Sequence, residues 1–159
     1  MDNRQFRNAM GKFATGVTVI TTQVDGEPFG MTANAFMSVS LDPKLVVISV
    51  GHNAKMLQRI QQSNRFAVNI LSADQQEFSA LFAGQKNIDG MIEFTTLAGL
   101  PILKDTIATI ACNVVNVHEA GDHTLFIGEV TDIRLDEGEP LLFFQGHYHA
   151  LNQSILSKN

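Results

Sequence analysis

The sequence predicts a mainly β protein, its strands closing antiparallel into a small barrel accompanied by two or three short helices. Three observations carry this expectation. Short β-branched and aromatic runs recur along the chain with Gly, Asp-Gly and Pro signals between them. Only brief stretches show the apolar period of a helix. Two long alternating runs, Ile107 to His118 and Thr124 to Leu135, are joined by the turn-like Glu119-Ala120-Gly121-Asp122-His123. At 159 residues, with no repeat, low-complexity tract or linker, residues 1–159 read as a single domain.

In chain order, Phe6, Met10 and Phe13 fall at i, i+4 and i+7, the stripe of an amphipathic helix, with Gly16 as a suitable stop. Val17 to Thr22 is strand-like, and Asp25-Gly26 is a hairpin turn toward Phe29. The run from Gly30 to Pro43 is rich in small and hydroxyl residues; proline biases the residue before it to extended backbone, so the run leaves one strand and enters another. Lys44 to Val50 is a nearly continuous apolar strand. Met56, Leu57 and Ile60 mark a short helix before a strand from Phe66 to Leu71. Ser72 and Gln75 have the spacing of a capping box, which predicts a helix over 73–82. Gly128, inside the second long run, marks a bulge or a close backbone approach.

The composition is 45% hydrophobic and 17% charged, with 11 Phe and no Trp, which predicts a globular chain with a Phe-rich core. A net charge of −5 argues against nucleic acid as a partner. No window has the ~20 apolar residues of a membrane helix, and the N-terminus is polar rather than leader-like, so a cytoplasmic location is expected. The single cysteine, Cys112, lies in an alternating apolar run and reads as a buried structural thiol, which fits a reducing compartment.

The Gly30–Pro43 run sets hydroxyls, an amide and exposed backbone between apolar strands. It can hydrogen-bond a flat, heteroatom-rich ligand, or serve as a plain polar connection. Lys55 stands at the start of a predicted helix, where free amides and the helix dipole favour an anion; Lys55 and Arg59 equally fit a solvated face. His123 can present its ring into a cleft or make a local turn bond. His147 and His149 share a strand face, but no further ligand stands at metal spacing, so no metal site is expected. No Gly-x-Gly-x-x-Gly run is present, which excludes a Rossmann nicotinamide domain, and no Gly-x-Ser-x-Gly elbow marks a hydrolase.

Six segments occur together: Phe6-Arg7-Asn8-Ala9-Met10-Gly11 with Thr15-Gly16-Val17-Thr18-Val19-Ile20-Thr21, the Gly30–Pro43 run, Phe66-Ala67-Val68-Asn69-Ile70-Leu71, Phe82-Ala83-Gly84, Gly121-Asp122-His123, and Pro140-Leu141-Leu142-Phe143-Phe144. In this order, over residues from about 5 to 150, the chain resembles the short-chain flavin reductases. These are the reductase components of two-component flavin monooxygenases, and the chain is most similar to those serving phenol 2-hydroxylase-type enzymes. The resemblance implies a flavin-reductase-like split β-barrel with Greek-key connections, assembled as a homodimer. It implies FAD or FMN as the flavin and NADH or NADPH as hydride donor. Thr32, Ala33 and Asn34 would meet the ring edge, and Ser38, Val39 and Ser40 the ring and ribityl chain. Asn53, Ala54, Lys55 and Met56, with Arg59 behind them, would receive the phosphate. Phe82, Ala83 and Gly84 would close around the flavin or its dinucleotide extension, while His123, Gly146, His147, Tyr148 and His149 would form the nicotinamide site. The implied activity is hydride transfer from NAD(P)H to flavin, with reduced flavin diffusing to a separate oxygenase of aromatic catabolism. Two alternatives share the barrel: a non-catalytic flavin-binding protein and a pyridoxamine-phosphate-oxidase-like enzyme.

Overall fold

Asp25 and Gly26 both take positive φ, 51° and 83°, the conformation of a tight hairpin turn whose twist matches its strands. They join β2 (Thr18–Val24) to β3 (Glu27–Ala33). A computed structural model describes this and the rest of the chain over residues 1–84 and 92–151. The other elements of the main sheet are β4 (Phe36–Leu41), β5 (Lys44–Gly51), β6 (Arg65–Ile70), β9 (Ala108–Ala120) and β10 (His123–Leu135). These seven strands pair antiparallel in the order β3-β2-β6-β9-β10-β5-β4.

The edge strands β3 and β4 are consecutive in sequence, linked only by Asn34 and Ala35. A flat seven-stranded sheet would hold its edges about 29 Å apart, and this link spans about 11 Å at most. The sheet must therefore curl until its edges meet at one corner without pairing. The result is a split barrel, open along the β3/β4 seam.

The barrel interior is filled by Ile20, Val46, Ile48, Val50, Phe66, Val68, Cys112 and Phe126, and is plugged by Met56 and Ile60 of α2 (Lys55–Ser63). On the other face of β2, Val17 and Val19 pack with Leu71, Leu103 and Leu141 against Phe78 and Phe82 of α3 (Gln76–Phe82). β2 is thus covered on both faces: Thr18 to Thr22 are all buried, and the three threonines among them donate their hydroxyls to Ala33 O, Pro101 O and Arg65 O. Asn69, fully buried, binds Val19 O at 2.9 Å and Thr21 Oγ1 at 3.0 Å, and accepts from the Leu103 amide at 2.9 Å. It locks β6 to β2 and to β8 (Leu100–Leu103), which pairs with β7 (Phe94–Leu97). A small sheet of β1 (Thr15–Gly16), β11 (Leu142–Phe144) and β12 (His147–His149) completes the described strands.

Three expectations are revised. α1 spans Asn3–Met10, capped by Asp2 on the Gln5 amide, and ends at Gly11, where the Gly11 N–H bonds Arg7 O and the Lys12 N–H bonds Ala9 O. Gly16 lies in β1 instead, and the Phe6/Met10/Phe13 stripe is exposed rather than packed on the core. α3 begins at Gln76 and not at residue 73, because the Gln75 side chain folds back to the Ser72 amide and across to Lys104 O, making 72–75 a turn. The Phe-rich core is realised in part: Phe66 and Phe126 are fully buried, while Phe6 and Phe13 face solvent. Among the described residues, no helix is long and apolar enough to cross a membrane.

Gly128 is both a bulge and a close approach. The β9/β10 register shifts beside it, and a Cβ there would lie 2.5 Å from Phe66 Cζ and 2.8 Å from Cys112 Cβ. Gly128→Ala should cost about 1–3 kcal/mol by overpacking, read as a lower urea midpoint with an unchanged slope. Burial pushes the Cys112 thiol up to about 12. Iodoacetamide at pH 8 should leave the folded protein unmodified and label it fully in denaturant, and rapid labelling of the native state would contradict the buried assignment.

Candidate functional site

β3 is an edge strand, so alternate backbone N–H and C=O groups near its end face away from β2. Around that end the side chains are already committed. Thr18 donates its hydroxyl to Ala33 O at 2.6 Å, and Thr32 donates to Ser79 O at 2.7 Å. Ser79, 1% exposed on α3, shares a 2.8 Å hydrogen bond with the Tyr148 hydroxyl. Ser79 therefore ties β3 to β12. Its signal in the sequence is slight, a small hydroxyl between Phe78 and Phe82.

These bonds frame a cavity of about 160 Å³ where Thr32, Ala33, Asn34, Ala83 and Tyr148 converge, with Val17 and Phe143 as apolar walls. Phe143 meets Tyr148 edge-on at 5.5 Å. With the Thr32 proton given to Ser79, contact to a ligand edge at this position falls to backbone groups and to the exposed Asn34 amide. A larger recess of about 810 Å³ shares Asn34 and Phe143 and runs along α1 past Gly146 and His147. On β1, opposite Phe143, the Thr15 hydroxyl is the one buried side-chain polar atom among the described residues that lacks a partner.

Across the seam, β4 carries Ser38, Val39 and Ser40. Ser38 pairs with Val46 and Ser40 with Leu45, so Val39 is the extra residue of a bulge and is half exposed. β5 then leads through Gly51 to α2. No side chain caps α2 at Ala54, and no acid stands in its first turn. Its free N–H groups and exposed Lys55 form a positive end suited to an anion. Met56 puts its side chain into the barrel core, leaving only its backbone for such a ligand. Arg59, one turn on, lies with its guanidinium 3.6 Å over the Phe29 ring.

His123 opens β10 opposite Gly51, where a Cβ would meet its Nε2 at 3.5 Å. Its Nδ1 is 2.8 Å from Asp122 Oδ1, and the His123 hydrogen bond holds the Asp122 carboxyl below the usual carboxylate range. The neighbouring His52 pairs with Glu119 at 2.9 Å and donates its amide to Asp122 O. His123 is thus gathered with the α2 loop, whereas Tyr148 belongs to the Thr32 cavity. His147 and His149 lie on the exposed face of β12, with Phe144 6.0 Å from His149.

Residues 10–152 match the family model described as a flavin reductase like domain. A curated relative, "NADH-dependent flavin reductase" from Rhodococcus sp., is 42% identical over 148 residues, covering 91% of this chain and 84% of its own. The solved structure "Flavin reductase PheA2 in native state" is 64% identical with a TM-score of 0.94, covering 96% of this chain and 100% of its own. The styrene monooxygenase flavin reductase from Pseudomonas putida is 38% identical with a TM-score of 0.88, covering 94% of this chain and 99% of its own.

The Ser79 hydrogen bonds make a prediction independent of any ligand. Tyr148→Phe should lower stability by about 0.5–1.5 kcal/mol, measured by denaturant titration. A Tyr148→Phe and Ser79→Ala double-mutant cycle should return a coupling energy of the same order, and additive effects would mean the 2.8 Å bond contributes nothing.

Proposed function

The chain belongs to the flavin reductase family, and from that premise we propose that it oxidises NADH with a flavin acceptor and supplies reduced flavin to a separate oxygenase. The observation that supports this reading is the seam itself. It sets free edge-strand backbone, a small cavity with aromatic walls and an uncapped helix N-terminus along one opening. A flavin nucleotide needs those three features: donors and acceptors for its ring edge, an apolar wall, and an anion site for its phosphate.

The residue roles follow from where each group stands. Backbone at Thr32 and Ala33, with the Asn34 amide, addresses the ring edge, and Ser38, Val39 and Ser40 form the opposite lip. Asn53, Ala54, Lys55 and the Met56 amide hold the phosphate at the start of α2, with Arg59 one turn further. Ala83, just past the end of α3, closes the cavity, while Phe82 and Gly84 face the neighbouring recess beside Phe29. Held here, a flavin would supply the hydride acceptor for NADH at its N5. The protein's task is to align the two rings at about 3–3.5 Å and keep water out. No side-chain proton transfer is required, so His123, oriented by Asp122, positions the nicotinamide rather than acting as an acid or base. Gly146, His147, Tyr148 and His149 would meet the same ligand from the Asn34 side of the seam, apart from His123.

Assembly as a homodimer is part of the same proposal. Met37, Leu41, Val115, Val117, Ile133 and Leu135 are 41–88% exposed, more apolar surface than a lone barrel needs to show. The oxygenase served is proposed to hydroxylate aromatic compounds. A stable flavin-loaded monomer in light scattering would remove the dimer.

NADH consumption should rise steeply on adding FAD or FMN, and no acceleration by either flavin would leave the non-catalytic binder as the better reading. Lys55→Ala should weaken flavin about ten- to hundred-fold, the loss of one charge-assisted bond, measured by fluorescence titration. His123→Ala should instead raise the KM for NADH with flavin affinity little changed. Wild-type reduction kinetics in that variant would return His123 to a structural turn role.

A further inference from the structure

We propose that Glu119, aimed by the buried Thr124, is a positioning residue for the flavin phosphate: it holds the His52 ring and so fixes the loop from Gly51 to Ala54 that leads into α2. This rests on the flavin reading above and names what orders its phosphate side. Backbone bonds hold the loop at two points, from the Ala54 N–H to Gly51 O at 2.9 Å and from the His52 N–H to Asp122 O at 2.9 Å. The His52 ring adds a third tie, its Nε2 lying 2.9 Å from Glu119 Oε2.

The other carboxylate oxygen of Glu119, Oε1, accepts the Thr124 hydroxyl at 3.2 Å. Thr124 is fully buried in β10 and stands directly across from Glu119 in the β9/β10 ladder. The carboxylate is therefore aimed from inside the sheet, although its own side chain is largely exposed. A glutamate free to rotate would lose side-chain entropy on reaching His52; one already bonded to a buried hydroxyl has lost part of it beforehand. This line of bonds refers the loop to the β9–β10 hairpin, which also carries His123 opposite Gly51. An anion at a helix start needs N–H groups that converge on one point, and the 51–54 loop sets where they converge. Charge alone predicts the opposite sign: a carboxylate in this neighbourhood repels an anion, so its removal would tighten flavin binding.

The test is fluorescence titration with FMN and with riboflavin, which differ only in the phosphate. The proteins are wild type, His52→Ala, Glu119→Ala, their double variant, Glu119→Gln and Lys55→Ala, each checked for a native circular dichroism spectrum. FMN should bind about three- to five-fold more weakly to His52→Ala and to Glu119→Ala, the scale of one partly exposed pair. The double variant should be no weaker than either single one. Riboflavin should stay within about two-fold throughout, and Glu119→Gln, whose amide oxygen still accepts from His52, should keep FMN within about two-fold. Tighter FMN binding in both Glu119 variants would reveal a charge effect and overturn the proposal. An equal loss of FMN and riboflavin, the mark of general loosening, would overturn it too. Unchanged FMN binding in Glu119→Ala, with binding lost in Lys55→Ala, would refute the positioning role and keep the phosphate site. Unchanged FMN binding in Lys55→Ala as well would remove the phosphate site itself, and the proposal with it.

Discussion

Two residues, Asn34 and Ala35, join the two edges of a seven-stranded sheet, and most of the architecture follows from that short tether. It bends the sheet into a barrel. It also stops the barrel from closing, because a corner cannot be a ladder. The unpaired backbone left along β3 and β4 is costly to bury and useful to expose, since its donors and acceptors are fixed by the sheet rather than by flexible side chains. A flat heterocycle of the kind proposed would find its hydrogen-bonding groups already ordered.

The second layer stiffens the seam from outside. α3 lies across β2 and β3, and Ser79 holds both Thr32 and the Tyr148 hydroxyl. α2 plugs the barrel with Met56 and Ile60 while turning Lys55 outward. One short helix therefore packs the core with one face, Met56 and Ile60 four residues apart, and presents Lys55 to solvent with the other. Asn69 fixes β2, β6 and β8 in register beneath these contacts, so the cavity is referred to a rigid frame.

Much of this was legible in the sequence where the cause is local. The Asp25-Gly26 turn, the apolar β5 run, the α2 stripe and the Gly128 irregularity each depend on a few adjacent residues, and each appears where the pattern placed it. Helix ends were misread where a side chain chose a tertiary partner: Gln75 reaches Lys104 O instead of opening a helix at residue 73. Gly16 entered β1 by pairing with Leu142, a contact more than a hundred residues distant. At the site, Thr32, Ala33, Asn34, Ala83 and Tyr148 do converge, yet Ser79 and Phe29 carried no local mark of their positions. Nor did spacing show that His123 would sit with Gly51 and the α2 loop, apart from Tyr148.

The bulge at Val39 governs how the open seam behaves toward other polypeptide. An edge strand that is long, flat and regular invites another chain to add to it and start a fibre. β4 offers no such template: between Ser38 and Ser40 its register slips by one residue, so an incoming strand would lose alignment after two or three hydrogen bonds. A small rigid molecule needs no register. The same edge therefore suits the small ligand proposed for it and is unrewarding to a peptide, which lets the protein keep an unpaired strand exposed in a crowded solution.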